Sequence, residues 1–123
     1  MSKHANKLTP SQIEGFRVRL EAMRAALRAQ LADAQQELAA PDTIVDAELD
    51  QGDDANLLFA HEELLDLIAR QQAEVAQVER ALARITAGTY GTSEVSGRPI
   101  PIERLNARPY ATTRVDEPPP PDE

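Results

Sequence analysis

Residues 57–85, LLFAHEELLDLIARQQAEVAQVERALARI, decide the fold. Leu57, His61, Leu64, Ile68, Gln71, Val75, Val78, Leu82 and Ile85 recur at alternating steps of 4 and 3. That spacing returns a side chain to one side of an α-helix on every turn, which makes the stretch a coiled-coil seam. His61 and Gln71 are polar residues at seam positions, and Leu58, Leu65 and Ala69 are expected to widen the apolar stripe. Gly88 follows as the C-terminal cap residue, where a left-handed backbone suits glycine.

Upstream, Ile13, Phe16, Leu20, Met23, Leu27, Leu31, Ala34 and Leu38 form a second seam with one stutter at Leu27 to Leu31. Thr9 reads as its N-cap. Pro10 takes the first helical position, where a missing N–H costs nothing. Pro41 disfavours helical geometry at Ala40 and stops the helix. Residues 41–54, between the seams, hold Asp42, Asp46, Glu48, Asp50, Asp53 and Asp54 with no Lys or Arg. Pro41 and Gly52 read there as breaks in regular structure. Two seams of similar length with a short connection predict an antiparallel α-hairpin. Neither amphipathic helix persists alone in water, so each buries its stripe against the other. The acidic connection then lies at one end of the hairpin and both chain ends at the other.

Composition agrees with helix seams rather than a thick core: of 123 residues, 41% are apolar but only 3% aromatic, with no Trp. The length suits a single domain of about 100–150 residues. A net charge of −8 excludes non-specific nucleic-acid binding through overall charge. Locally, residues 1–28 carry six Lys and Arg against two acids. The absence of cysteine excludes disulfides and thiolate metal sites. No apolar run reaches the roughly 20 residues that span a bilayer, and residues 1–10 have no apolar leader core. A cytoplasmic protein without membrane contact is expected. No nucleophile, base and orienting group are grouped in the sequence. His4 lies in the polar lead and His61 in the seam, and Asp50 with Asp53 lack calcium-loop spacing, so no enzyme is expected.

Past Gly88 the chain is short-patterned: GTYGTSEVSGRPIPIERLNARPYATTRVDE, residues 88–117. Residues 93–96 and 98–100 predict a small hairpin, and 102–107 one or two helical turns ended by Pro109. The last eight residues, with four acids and Pro118 to Pro121, predict an extended tail. The expected organisation is a polar lead over 1–9, the hairpin over 10–87 with an acidic tip at 41–55, a small module over 88–115 and the tail over 116–123.

Gly88, Tyr90-Gly91, Gly97, Ile100, Arg104-Leu105, Ala107-Arg108-Pro109 and Ala111-Thr112 resemble the frame of the DksA/TraR family of bacterial RNA polymerase regulators. That family carries a four-cysteine zinc finger of the form YGxCxxCG…RLxAxPxAxxCxxC. The four ligand positions here are Ser93, Ser96, Arg114 and Glu117, so the frame is kept while every thiolate is gone. The resemblance extends upstream: DQGDDA supplies Asp50, Asp53 and Ala55 of the family's Asp-x-x-Asp-x-Ala tip.

The resemblance implies a mainly α fold: a long antiparallel coiled-coil hairpin plus a small zinc-finger-like module without zinc. It implies a monomeric transcription regulator that binds RNA polymerase through its secondary channel and alters open-complex stability, with no sequence-specific DNA contact. Asp50, Asp53 and Ala55 would meet the polymerase. Arg104 and Arg108 are candidates for polymerase or alarmone contact. The family also uses two lysines toward the alarmone ppGpp; Gln77 and Pro118 stand at those places, which leaves ppGpp open. In place of zinc, the Ser hydroxyls, Arg114 and an acid such as Glu117 or Glu94 are expected to hydrogen-bond. Tyr90, Ile100, Ile102, Leu105 and Tyr110 are expected to supply a small apolar core. The alternative reading is a coiled-coil adaptor or channel competitor without regulatory activity.

Overall fold

The computed structural model describes residues 8–40 and 51–117, and side chains in the second stretch from residue 55 onward. Three helices follow in order: α1 (Pro10–Ala39), α2 (Gln51–Ala87) and α3 (Ile102–Ala107). The described residues form no strand; Thr92 and Pro99 make an isolated antiparallel bridge. The fold is mainly α, with α1 and α2 paired as an antiparallel hairpin.

Thr9 caps α1 reciprocally. Its Oγ1 accepts the Gln12 N–H at 3.1 Å, and Gln12 Oε1 accepts the Thr9 N–H at 2.9 Å. Two otherwise orphaned donors are satisfied at once. α1 ends at Ala39, ahead of Pro41, as the proline rule requires. α2 starts earlier than its seam: Gln51 through Asn56 precede Leu57, so Gly52 does not break the helix. A glycine in the first turn interrupts nothing yet formed. At the other end Gly88 adopts φ 83°, and the Arg84 carbonyl accepts the N–H groups of Thr89 and Tyr90 at 2.9 and 3.1 Å. A side chain at Gly88 would strain that left-handed turn.

The chain divides into two compact units, residues 25–75 and residues 1–24 with 76–123. In the first, Ala34, Leu64 and Ile68 are buried together, with Leu31, Leu38 and Leu67 packed against them. Gln71, also buried, donates from Nε2 to Gln30 Oε1 at 3.4 Å. A step forward along α1, from Gln30 to Ala34, is thus a step back along α2, from Gln71 to Ile68. That order is the antiparallel register. Leu58 and Leu65 do not widen the stripe: both stay exposed, as does Ala69. Two packed helices cover only a narrow stripe of each other, and Leu58 and Leu65 fall outside it.

In the other unit the buried apolar residues come from every element. Phe16 and Leu20 lie on α1, Val78 and Ala81 on α2, and Leu105 on α3; Tyr90, Ile100 and Ala111 lie in the connecting loops. The Phe16 and Tyr90 rings stand 5.7 Å apart and tilted. Of the five residues expected to form a small core here, Tyr90, Ile100 and Leu105 are buried, while Ile102 and Tyr110 are partly exposed.

Candidate functional site

The loop from Thr92 to Pro99 is a tight backbone knuckle. Ser93 N–H donates to the Arg98 carbonyl at 2.8 Å, and Gly97 N–H to the Ser93 carbonyl at 2.9 Å. Gly97 sits at φ 74°, a conformation that a side chain would strain. Ser93 is buried, and its Oγ accepts the N–H groups of Val95 and Ser96 at 3.0 and 3.2 Å. With both lone pairs engaged, the Ser93 hydroxyl can only donate, and Glu117 Oε1 accepts that hydrogen bond at 2.5 Å. Glu117 Oε2 accepts the Ser96 hydroxyl. Oε1 also accepts the Arg114 N–H at 2.9 Å. One carboxylate therefore ties together two segments of the loop that lie more than twenty residues apart in the chain.

These donors all favour the charged carboxylate. The Ser93 hydroxyl foremost, then Ser96, with a smaller contribution from the Arg114 amide, hold the Glu117 pKa down to about 2. The Arg114 side chain turns the other way. Its Nη1 donates to the Pro99 carbonyl at 2.6 Å, and its Nε lies 3.4 Å from Asp116 Oδ1. Arg98 approaches Asp116 and Glu117 only at 3.9 and 4.0 Å and is largely solvated, so it adds little.

Tyr90 anchors the far side of the unit. Its hydroxyl donates to the Pro109 carbonyl at 2.8 Å, and burial pushes its phenol well above the usual range. Arg84 Nη2 reaches the carbonyls of Thr89 at 3.0 Å and Thr92 at 2.7 Å. Burial lowers its guanidinium pKa, with Glu94 opposing.

No protein-family model matches the chain. A 65-residue stretch is 42% identical to the uncharacterized protein YteA of Bacillus subtilis, covering 53% of this chain and 27% of that protein. A 47-residue stretch is 43% identical to the RNA polymerase-binding transcription factor DksA of Caulobacter vibrioides, covering 38% of this chain and 33% of that one. The matched stretches thus span about a quarter to a third of the length of these relatives. The solved structure of transcription factor DksA2 from Pseudomonas aeruginosa matches far more. It aligns with 87% of this chain and 80% of its own, at TM-score 0.75 and 29% identity.

This cysteine-free chain resembles DksA proteins in part of its sequence and in its fold. In this DksA-like chain the frame positions Ser93, Ser96 and Glu117 converge on one carboxylate, while the Arg114 side chain points elsewhere and contributes its backbone N–H. The set does not fit zinc. Both hydroxyls are committed to Glu117, and a guanidinium has donors but no lone pair to give a metal. Among the described residues no group of three or more His, Cys, Asp and Glu side chains is placed to hold an ion. Glu94 does not join the knot; it faces Arg80 Nε at 3.5 Å.

The structure separates the two candidate arginines of the DksA-like module. Arg104 is partly buried, and its Nε donates to the Thr113 carbonyl at 2.7 Å, so it braces the loop after α3. Arg108 is exposed, with its guanidinium 5.7 Å from the Tyr110 ring centroid. At the acidic tip, Asp50 lies outside the described residues. Asp53 falls in the first turn of α2 with its side chain outside them, and Ala55 is exposed on α2. Sequence reading missed Arg84 as a clamp. The available signal was an arginine in the last turn of α2, just before Gly88.

Proposed function

We propose that this chain is a non-enzymatic regulator of transcription that binds RNA polymerase and carries the acidic residues between α1 and α2 into the secondary channel. The observation that supports it best is the likeness to DksA2 over 87% of the chain, with DQGDDA spanning residues 50–55 at the start of α2. A relative sharing part of the sequence is itself named a polymerase-binding transcription factor. In this reading Asp50 and Asp53 meet cations or basic groups of the polymerase, and small Ala55 permits close approach. Arg108, exposed over Tyr110, contacts the polymerase rim, and Arg104 holds the loop that presents it. The chain acts as a cytoplasmic monomer, contacts no promoter sequence and requires no zinc.

The mechanism is a shift of populations. A probe that binds one polymerase conformation better than another changes their ratio by its differential affinity and by nothing else. Initiation complexes that differ in open-complex stability then respond differently to the same protein.

The test is a binding and transcription assay with core and holo polymerase, comparing wild type with the Asp50→Asn, Asp53→Asn double variant. Retained binding that is competed by a Gre-type channel factor, with regulation lost, is the expected result. Failure of the wild type to bind polymerase would leave the adaptor reading. Binding without any change in initiation would leave the channel competitor.

A further inference from the structure

Four aromatic residues occur in the chain. Phe16 and Tyr90 are buried against each other, and Tyr110 is partly covered beneath Arg108. Phe59 differs from all three: on α2 it is 62% exposed. Leu58 and Leu65 beside it are 57% and 44% exposed. Ala55, Phe59, Glu62 and Asp66 follow at steps of 4, 3 and 4, and all four face solvent. At about 100° per residue this row lies on the side of α2 opposite Leu64 and Ile68, which pack with Ala34 of α1. The helix therefore carries a second ordered strip that no described part of the chain covers. Within it Phe59 is the large apolar side chain, bordered by exposed Leu58 and Leu65 and by the acids Glu62 and Asp66. Single exposed apolar residues need no explanation, but three large ones on one short stretch of helix do.

Charge says what covers it. Residues 53–74 hold six acids (Asp53, Asp54, Glu62, Glu63, Asp66 and Glu74) against one arginine, Arg70. A second copy packed on this strip would set Glu62, Glu63 and Asp66 against their own like, which penalises self-association. A surface with basic residues around an apolar recess is complementary on both counts. We infer that the strip from Ala55 to Asp66 is a docking face for a basic-rimmed apolar recess of the polymerase, with Phe59 as the anchor seated in that recess. This rests on the polymerase reading above and deepens it. Contact does not stop at the acidic residues but continues along α2 through an aromatic side chain, the kind of group that dominates interface energetics. The acids steer the approach and the ring sets the residence time.

The experiment measures association and dissociation rates of the full-length chain with core RNA polymerase at low and moderate salt. Four proteins are compared: wild type, Phe59→Ala, the Glu62→Gln, Asp66→Asn double variant, and Val18→Ala. Val18 is 54% exposed on α1 and serves as an apolar control. All substitutions are at exposed positions, so helicity by circular dichroism is expected to be unchanged. Phe59→Ala is expected to weaken binding by about 10-fold or more, mainly through faster dissociation. The acid variant is expected to slow association and flatten its salt dependence, and Val18→Ala to bind like wild type. Wild-type affinity in Phe59→Ala, or an equal loss in Val18→Ala, overturns the inference while leaving the polymerase reading intact. A wild-type dimer in sedimentation that Phe59→Ala abolishes assigns the strip to self-association and overturns it too. No polymerase binding by the wild type removes both.

Discussion

Glu117 shows at the scale of one residue how this fold substitutes hydrogen bonds for coordination. Ser93 Oγ accepts two backbone N–H groups and donates its own O–H to the carboxylate, and Ser96 and the Arg114 amide complete the set. Ser93→Ala would remove the acceptor of the partly buried Val95 and Ser96 N–H groups and a donor to Glu117. Unmade hydrogen bonds of that kind cost about 1–3 kcal/mol, a loss readable in urea unfolding. Glu117 adds a pH signature. Its pKa is about 2 in the folded chain against an ordinary value of 4.5, so the unfolded chain binds the proton more tightly. Its stabilising contribution is complete above about pH 5 and fades as pH falls toward 2. Glu117→Gln is expected to melt several degrees below wild type at pH 7, with the gap closing across that acid interval. A constant gap from pH 7 to 2 would remove the carboxylate from this role. The four positions themselves were legible in the sequence, because the spacing of Gly, Tyr, Arg-Leu and Ala-x-Pro around them survives. The tasks of Arg84 and Arg104 were not. Their acceptors are the carbonyls of Thr92 and Thr113, brought into reach only when the chain after Gly88 folds back.

Elements were more readable than residues, and where the reading slipped the reason is geometric. The alternation of 4 and 3 named the buried residues of both helices except Ala81, since only one side of each helix finds a partner. It overreached at Leu58 and Leu65, where hydrophobicity alone suggested a wider stripe than two helices can cover. It also started α2 at the seam, whereas the helix runs back to Gln51. Gln71 was correctly noticed as polar at a seam position, and the structure shows the consequence. It is buried, its Nε2 makes a long 3.4 Å contact with Gln30, and its Oε1 has no hydrogen-bond partner. A polar layer of this kind fixes register at a cost in stability. Gln71→Leu is therefore expected to raise unfolding free energy by about 1 kcal/mol or more, the penalty of an unpaired buried acceptor being of that size. Chemical denaturation measures it. A destabilised variant would mean that the amide pair holds the helices together as well as in register.

For the whole molecule the question is what replaces a metal. A structural zinc ion contributes about 10–16 kcal/mol of apparent binding free energy in small finger peptides, and without it such peptides unfold. No few surface hydrogen bonds equal that. Here the loops after Gly88 are not asked to fold alone. Phe16 and Leu20 from α1 and Val78 and Ala81 from α2 are buried in the same compact unit as Tyr90, Ile100, Leu105 and Ala111. The paired helices supply a hydrophobic base that is present whatever the ligand positions hold. The polar knot then needs only to select one loop conformation. On this account the melting curve of the chain is expected to be the same with and without excess EDTA, and indifferent to thiol reductants. Added Zn²⁺ should not raise the melting temperature, because a ligand stabilises only a state that binds it. A four-cysteine relative treated identically should lose its finger on chelation. If micromolar zinc raised the midpoint of this chain and EDTA reversed it, the serines and Glu117 would have to let go of one another to bind the ion. The hydrogen-bonded carboxylate would then be only one of two states of the site.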